Sequence, residues 1–279
     1  MAKGSIVRLE AIDQGADMAV DDGPSTRAVP AVTRGVAILR LLARSREPLG
    51  VNAIAREIGI VPSTCLHILR ALVAEGLVAI ERGSKRYRLD AGVLTLARSA
   101  LRQDGFSRQT QPELDALASN FPVTAIGVRV IALKHMIVVA LSRAEASFRP
   151  HVDIGSRFPA LISATGRCLA AFGHYSDAEI ERAFRALRWD AAPNYKAWRT
   201  EVAETRRTGI GIDRGNYIRG VTIAAAPVFG IEGRMTHGLV AVAMSAQLGA
   251  GDAAAIGAEL KSAAARVSAQ LGGVDSTTT

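Results

Sequence analysis

The chemistry in this 279-residue sequence is concentrated in residues 61–78 (VPSTCLHILRALVAEGLV), where polar and basic side chains accompany a helical repeat. Apolar residues recur there at i, i+3, i+4 and i+7, which predicts a helix with one buried stripe. That stripe consists of Cys65, Ile68, Leu69 and Leu72. The opposite face carries the side chains that could contact a ligand, namely Ser63, Thr64, Leu66, His67 and Arg70. Hydroxyl, imidazole and guanidinium groups on one helix face indicate binding of a polyanion.

The first turn of this helix suits a phosphate group. Short side chains at Ser63 and Thr64 would let the free backbone N–H groups approach an anion, although Ser and Thr at this position often only cap the helix. His67 and Arg70 lie further along, where they could reach base edges or phosphates, and Leu66 would suit a thymine methyl group. The segment therefore predicts a recognition helix, with capping as the alternative role of the hydroxyl residues.

Two shorter helices are predicted before the recognition helix. Residues 33–44 show helical apolar spacing behind Thr33, which can cap them. Residues 51–58 form the second helix, which ends at Gly59 because a left-handed residue costs glycine little. Pro62 then favours a new first helical turn. Together these signals predict a helix–turn–helix.

A basic hairpin follows the recognition helix directly. Residues 77–81 and 86–89 are predicted to be short strands around the turn at 82–85. Four positive charges lie on this hairpin, at Arg82, Lys85, Arg86 and Arg88. After a helix–turn–helix the pattern predicts a wing that lies along a nucleic-acid backbone, and the alternative is a hairpin that is simply solvated.

The net charge of the chain is located in the same region. Residues 27–108 contain 14 Lys/Arg and 6 Asp/Glu, an excess equal to the formal net charge of +8 of the whole chain. The remainder of the sequence is therefore neutral. This asymmetry indicates a polyanion-binding head on a separate body, and the alternative is a basic surface that only aids solubility.

The domain organisation is predicted from changes in pattern. We expect a disordered arm at 1–29, a winged helix–turn–helix domain at 30–90, a linker helix at 91–106 and a disordered tail at 273–279. The domain at 107–272 should be α+β, with an antiparallel sheet flanked by helices. Its predicted helices are 111–121, 163–173 with Ser163 as cap, 177–187, 195–208 and 253–271. Its predicted strands are 123–133, 135–144, 150–154, 209–213, 220–230 and 238–248.

Several classes of protein are disfavoured by what the sequence lacks. No run of 18 apolar residues or signal-peptide core occurs, so we expect a cytoplasmic protein without membrane association. The two cysteines and five histidines show no metal-ligand or disulfide spacing, and no nucleophile, Walker or dinucleotide motif is present. We expect no metal, no cofactor and no enzymatic activity. The alternatives are a small-molecule enzyme with a basic surface and a DNA-architectural protein, although the large neutral domain argues against the latter.

The order of these motifs over residues 30–272 resembles the IclR family of bacterial transcription regulators. In the first domain the resemblance rests on AVTRGVAILRLLA, on PSTCLHILRALVAEGLV and on YRLDAGVLTLA. In the second it rests on VDIGSRFPALISATGRCLAAF, on TRRTGIGIDRGNYIRGVTIAAAPVF and on AVAMSAQ. Each motif alone is weak, whereas their order and spacing together are specific.

The resemblance implies a sequence-specific DNA-binding regulator with winged heads and a GAF-like effector-binding domain. Members are homodimers, often paired into tetramers, that bind double-stranded operator DNA and sense small organic acids, sugar acids or aromatics. An effector that changes how paired C-terminal domains hold two heads would change the half-site spacing that the dimer can span.

The resemblance also implies an effector pocket, whose matched positions are Ala164, Thr165, Asp213, Ile223, Ala243 and Ser245, with Phe158 nearby. Small residues at a helix start leave backbone N–H groups open for a carboxylate, and Gly166 keeps that approach clear. Few polar groups are present, so the pocket suits a small aromatic or keto acid. Ile223 and Ala243 could instead belong to the core, and Asp213 could instead be a cap or pair with a neighbouring arginine.

Two positions depart from the family pattern. The family commonly has His-Arg after Ser-Thr-Val in the recognition helix, where this chain has Leu66 and His67. The operator sequence therefore cannot be transferred by analogy. The family often has a glutamate where this chain has Asn216, and an amide cannot supply the same charge.

Overall fold

The computed structural model of the chain describes residues 29–103, 105–143, 152–249 and 251–273. These residues form two compact units, an N-terminal unit that ends at residue 103 and a C-terminal unit that begins at residue 105. The arm predicted for 1–29 and the tail predicted for 273–279 lie outside the described residues, apart from Val29 and Gly273.

The N-terminal unit contains four helices and one hairpin among its described residues. They are α1 (Pro30–Arg44), α2 (Val51–Ile58), α3 (Pro62–Ala74), β1 (Val78–Ile80), β2 (Tyr87–Leu89) and α4 (Gly92–Gln103). Helices α2 and α3 are bent by 109° across the short break at Gly59, within the range of a helix–turn–helix. Gly59 has φ 72° and so ends α2 in the left-handed conformation predicted for it. The predicted linker helix corresponds to α4, which belongs to this unit.

Helix α1 begins earlier than the sequence predicts. Its first residue is Pro30, whose fixed φ suits a first turn and whose missing N–H would be unbonded there in any case. Thr33 therefore lies inside the helix, and its Oγ1 donates to the carbonyl of Val29 at 3.4 Å. The prediction that Thr33 caps α1 is wrong because proline supplies the start.

The hairpin is held on the three helices by a shared core. Tyr87 of β2 is buried, and its backbone exchanges two hydrogen bonds with Leu49, of 2.8 and 3.0 Å. Leu49 lies between α1 and α2, so this pair fixes the hairpin to the helices. The buried residues of the core are Ile38, Leu41, Leu42, Ile54, Ala55, Cys65, Leu69, Val78 and Tyr87.

The C-terminal unit is a six-stranded antiparallel sheet covered by helices. Its helices are α5 (Gly105–Asn120), α6 (Ser163–Phe172), α7 (Asp177–Arg185), α8 (Tyr195–Thr208) and α9 (Asp252–Gln270). Its strands are β3 (Thr124–Ile131), β4 (His135–Leu141), β5 (Arg157–Pro159), β6 (Gly211–Arg214), β7 (Val221–Phe229) and β8 (Met235–Met244). The strand order is β5-β4-β3-β8-β7-β6, with every pair antiparallel. The fold class is therefore α+β, as predicted.

The two faces of the sheet bury two different cores. Because side chains alternate along a strand, Leu239 and Ala241 of β8 pack toward α5 and α9. Val240 and Val242 of the same strand pack toward α6, α7 and α8. Alanines dominate the α9 side of β7 and β8, which lets that helix lie close to the sheet.

Two elements of this unit differ from the predicted ones. Of the strand predicted at 150–154, residues 150 and 151 lie outside the described residues, and the described remainder is not a strand. The edge strand is instead β5, which pairs with β4. Helix α5 starts six residues before the predicted 111 and contains Pro112. Burial of Phe106 and Leu114 on either side of this proline compensates for the backbone hydrogen bond that proline removes.

No single described helix is long and apolar enough to cross a membrane. Helices α2 and α3 together reach the required length and composition, but their bend is sharp and their apolar side chains form the core of the N-terminal unit.

Helix α6 packs so closely against its surroundings that two glycines are required. A Cβ at Gly166 would lie 1.9 Å from the carbonyl oxygen of Leu161, in the segment that leads into the helix. A Cβ at Gly211 of β6 would lie 2.3 Å from the carbonyl oxygen of Ala164. Gly166 therefore accommodates the chain's own backbone, which is a different reason from the open ligand approach that the sequence suggests.

We predict that Gly166→Ala lowers the free energy of unfolding of the C-terminal unit by more than about 2 kcal/mol, because overpacking against fixed backbone is costly. Tryptophan fluorescence in a urea titration measures this unit alone, since both tryptophans of the chain, Trp189 and Trp198, lie in it. Gly105→Ala is the matched control, because its Cβ would meet only Leu271 at 3.8 Å. Equal stability of the two variants would contradict the close approach.

Candidate functional sites

The outer face of α3 is open for a ligand. Ser63, His67 and Arg70 are exposed, whereas Thr64 and Leu66 are half-buried. The helix starts after Val61, and no side chain caps its N-terminus. The capping role considered for Ser63 is therefore absent here, and the first-turn N–H groups stay available to an anion.

The hairpin presents its positive charges to solvent. Arg82, Lys85, Arg86 and Arg88 are all exposed, and none forms a salt bridge with another residue in the described part of the chain. Gly83 and Lys85 have φ of 91° and 52°, which turn the chain sharply between β1 and β2. Exposed cations beside a helix with open N–H groups provide contacts to phosphate that fix a protein on a duplex.

The C-terminal unit contains a cavity of about 40 Å³ between the sheet and the N-terminus of α6. Phe158, Thr165 and Ile223, three of the predicted effector residues, line it. The other lining residues are Ile126, Val128, Met136, Val138, Val152, Ile162, Ser163, Tyr217, Val240 and Val242. Most of this surface is aliphatic, and no lining residue carries a charge.

Two hydroxyl groups on this lining are buried without a hydrogen-bond partner among the described residues, Ser163 Oγ and Tyr217 OH. Burial raises the pKa of Tyr217 to about 12, helped by the negative charges of Asp190 and Asp213. Its phenol therefore stays protonated near neutral pH and can donate a hydrogen bond. Buried hydroxyls normally find partners, so an unpaired pair in one cavity indicates a ligand-binding role.

Ser163 has an unusual backbone conformation. It was expected to cap α6, but the N-cap is Ile162, and Ser163 is the first helical residue with φ 60°. Ser163 lines the cavity and its hydroxyl does not bond the helix backbone, so the capping prediction is wrong. A left-handed conformation at a residue other than glycine is costly and often accompanies function.

Two of the predicted effector residues support the cavity from behind. Ala164 is fully buried, and its carbonyl faces Gly211. Asp213 is also fully buried. Its Oδ1 accepts the backbone N–H groups of Asn216 at 2.9 Å and Tyr217 at 3.3 Å, and its Oδ2 accepts from Arg167 at 3.2 Å. Neither residue lines this cavity, so their predicted contact with an effector stays a prediction.

The two predicted residues from the last strand also lie elsewhere. Ala243 belongs to the core on the α5 and α9 face, because β8 turns Val240 and Val242 toward the cavity. Ser245 comes after the end of β8, in a 3₁₀ turn (Ser245–Gln247). It is exposed, and its Oγ lies 2.8 Å from Thr222 Oγ1. The two residues therefore do not share a sheet face as their spacing predicts, because β8 ends at Met244, between them.

A buried arginine behind the cavity is not among the predicted site residues. Arg167 of α6 is 1% exposed and donates to Glu201 Oε2, to Asp213 Oδ2, to Asn216 Oδ1 and to the carbonyl of Ser163. The sequence signal for this buried residue is an arginine within SATGRCLAAF, a segment whose other residues are mostly small or apolar. The same network gives Asn216 a structural role, because its side-chain oxygen accepts from Arg167 and its side-chain nitrogen donates to the carbonyl of Ala191 at 3.1 Å.

A second, larger groove of about 500 Å³ lies between α8, β6 and α9. Three of its four charged lining residues are paired, Glu201 with Arg167 and Glu204 with Arg207, and the fourth is Arg214. The smaller cavity is the better candidate because its polar groups are unpaired.

The remaining reactive groups give no support to catalysis. Burial raises the pKa of the Cys168 thiol to about 12 and also raises that of Cys65, so neither forms a nucleophilic thiolate near neutral pH. Among the described residues, no cluster of His, Cys, Asp and Glu could hold a metal ion.

Comparison with protein families gives two matches that together span both units. Residues 31–81 match the IclR helix-turn-helix domain, and residues 99–269 match the C-terminal domain of the bacterial transcriptional regulator IclR. The second match alone covers more than half of the chain. The resemblance found in the sequence motifs is confirmed by these matches.

Individual relatives support the same family. The glycerol operon regulatory protein of Streptomyces griseus is 30% identical over 217 residues, which cover 77% of this chain and 85% of that protein. The probable transcriptional regulator SauR of Cupriavidus necator is 29% identical over 73% of this chain and 82% of its own length. A crystal structure of an IclR regulator from Alicyclobacillus acidocaldarius has a TM-score of 0.78 at 25% identity, covering 88% of this chain and all of that one.

These families and relatives are transcriptional regulators and not enzymes. With its winged helix–turn–helix and its α+β effector domain, the chain belongs to the IclR family of bacterial transcriptional regulators.

Proposed function

We propose that this regulator binds its operator through α3 and the basic hairpin, and that a small aromatic or keto acid in the C-terminal cavity controls operator binding or promoter output. The DNA-binding and effector-binding roles of the two domains follow from the family. The cavity with two unpaired hydroxyls beside the start of α6 supports the class of effector.

The chemistry of the cavity favours an acid with a small apolar body. Aliphatic side chains from four strands would contact a ring or a short carbon chain. The first helical hydrogen bond of α6 is donated by Gly166 to Ile162, so the N–H groups before it are open to a carboxylate. Ser163 Oγ and Tyr217 OH add two donors for carboxylate, keto or phenol oxygens.

A solved relative suggests a probe. An IclR homolog from Microbacterium hydrocarbonoxydans, crystallised in complex with 4-hydroxybenzoate, has a TM-score of 0.70 at 20% identity and covers 86% of this chain. That identity extends the likeness to the fold only. 4-Hydroxybenzoate nevertheless combines the ring, carboxylate and hydroxyl that the cavity chemistry favours, so we choose it as the first compound to test.

Binding has to enlarge the cavity. Its volume of about 40 Å³ would hold about three water molecules, and an aromatic ring needs several times that space. The side chains and the Tyr217 turn around the cavity must therefore move apart when an acid enters. A ligand that binds only the widened form shifts the protein toward it, which gives the effector a means of changing the rest of the molecule.

The regulator should act as a homodimer, or as a tetramer built from two dimers. Leu94 and Leu96 of α4 are 65% and 62% exposed, and a second copy of the chain would cover such residues. Effector binding that changes how two C-terminal domains hold two heads would alter the accessible half-site spacing. A coupling of about 1–3 kcal/mol between the two sites is sufficient.

We predict that Arg70→Ala weakens binding to the upstream DNA of its own gene by about 10-fold or more, because one guanidinium contact to a base or phosphate is lost. Arg70→Lys distinguishes a base contact from a phosphate contact, since lysine keeps the charge but loses the bidentate geometry. Fluorescence anisotropy over a range of salt concentrations, with scrambled DNA for comparison, measures both effects.

Arg40→Ala is the control for charge, because Arg40 is an exposed residue of α1 outside the recognition helix and hairpin. Equal operator affinity of the Arg70→Ala variant and the unchanged protein would remove Arg70 from the interface. Equal binding of the unchanged protein to operator and scrambled DNA would contradict specific recognition altogether.

We predict that Tyr217→Phe lowers the affinity for 4-hydroxybenzoate by about 10-fold, which corresponds to one lost hydrogen bond. The same change should leave the stability without ligand unchanged or raise it by up to about 1 kcal/mol, because it removes an unpaired buried hydroxyl. Isothermal titration calorimetry and urea unfolding measure the two quantities.

Tyr175→Phe is the matched control, since Tyr175 packs at the edge of the same core without lining the cavity. If Tyr217→Phe destabilised the protein and left acid binding unchanged, the hydroxyl would be structural and the cavity would lose its role. A panel of aromatic acids, keto acids and neutral sugars decides the effector class, and exclusive binding of a sugar would contradict an acid effector.

A further inference from the structure

We infer that Arg167 is a positioning residue for the effector site, because it holds the two segments that carry the unpaired cavity hydroxyls. The inference rests on the proposed function, since it assigns a role in acid binding to a residue outside the cavity lining. Arg167 acts through Ser163 and through the turn that contains Tyr217.

The first connection is direct. Arg167 Nη1 donates to the carbonyl oxygen of Ser163 at 2.9 Å, one turn earlier in α6. Ser163 has φ 60°, a conformation that L-residues rarely adopt, so its backbone needs an external contact to hold it. The direction of the Ser163 hydroxyl follows from this backbone conformation. A loss of the contact would let the residue relax away from the cavity.

The second connection passes through two side chains. Arg167 Nη1 donates to Asp213 Oδ2, and Arg167 Nη2 donates to Asn216 Oδ1 at 2.9 Å. Asp213 in turn accepts the N–H groups of Asn216 and Tyr217. The guanidinium therefore holds the turn after β6 through the side chains of Asp213 and Asn216. Asp213 in turn holds the backbone N–H groups of Asn216 and Tyr217. Tyr217 is the residue of this turn that reaches the cavity.

Charge makes this arrangement depend on arginine. Asp213 is fully buried, and its carboxylate would be left without a cation if Arg167 were neutral. Glu201 of α8, which is 46% exposed, supplies the second carboxylate. The planar guanidinium can address these carboxylates, the Ser163 carbonyl and the Asn216 amide together, whereas a lysine ammonium offers a point charge with three donors.

A purely structural role for Arg167 would be to join α6 to α8. Arg206 of α8 already makes such a contact, because its Nη2 donates to the carbonyl of Ala171 at 2.7 Å near the other end of α6. None of the bonds of Arg206 involves Ser163 or the turn at 213–217. Arg206 is exposed, so it is the control for loss of an interhelical arginine contact and not for loss of a buried charge.

The experiment compares Arg167→Met, Arg167→Lys and Arg206→Met in the full chain. Amide hydrogen exchange by mass spectrometry is measured without ligand, and the affinity for 4-hydroxybenzoate by calorimetry. Arg167→Met should speed exchange at the amides of Asn216 and Tyr217 by about 10-fold or more, since their acceptor Asp213 is no longer held by the guanidinium. The affinity should fall by at least as much. Arg167→Lys should restore part of both, and Arg206→Met should change neither.

The result that overturns the inference is the same exchange pattern and the same affinity in Arg167→Met and Arg206→Met. Faster exchange with unchanged affinity would overturn it too, because the held segments would then not position ligand groups. Should Arg167→Met fail to fold, Arg167→Lys against Arg206→Lys decides by the same criteria. If the unchanged protein bound no acid, the proposed effector class would fail, and the exchange data would still decide whether Arg167 holds the cavity segments.

Discussion

The hydrogen bonds of the buried Arg167 guanidinium are the interactions on which the packing around the cavity of the C-terminal unit depends. The guanidinium joins α6, α8, β6 and the turn after β6 through four acceptors, two of them carboxylates. A buried ion pair of this kind contributes little net stability, because desolvation of the charges offsets their attraction. Its effect is to specify geometry, since the acceptors are satisfied only when all four elements are in place. The close approaches at Gly166 and Gly211 have the same consequence, because they leave α6 one position on the sheet.

The N-terminal unit could be predicted from sequence because its determinants are local. The apolar spacing of α3, the glycine that ends α2 and the proline that starts α3 each act within a few residues. The hairpin was recognised from its charged turn, and its strands proved one or two residues shorter than predicted. The predicted start of α1 is wrong by a similarly small amount, since the helix begins at Pro30, three residues before Thr33.

The candidate effector cavity could be predicted only in part, because its determinants lie far apart in sequence. Phe158, Thr165 and Ile223 line the cavity, and their contact with an effector stays a prediction. Ala243 shows how a strand pattern leaves the two faces of a fully covered sheet indistinguishable. Both faces of the sheet are apolar here, so the hydrophobic pattern does not show which face meets the cavity. The burial and pairing of Asp213 could not be predicted either, since its partner Arg167 is 46 residues away in the sequence. The positive φ of Ser163 has no sequence signature at all.

The small volume of the cavity has a consequence for the dose at which the regulator responds. When only a fraction of molecules is open at a given moment, the apparent dissociation constant equals the intrinsic one divided by that fraction. Sensitivity to the effector is then set by the equilibrium between narrow and wide forms of the cavity as much as by contacts with the bound molecule. Substitutions far from any ligand atom, in the packing of α6 against the sheet, could shift the concentration that switches a promoter while leaving the preferred compound unchanged.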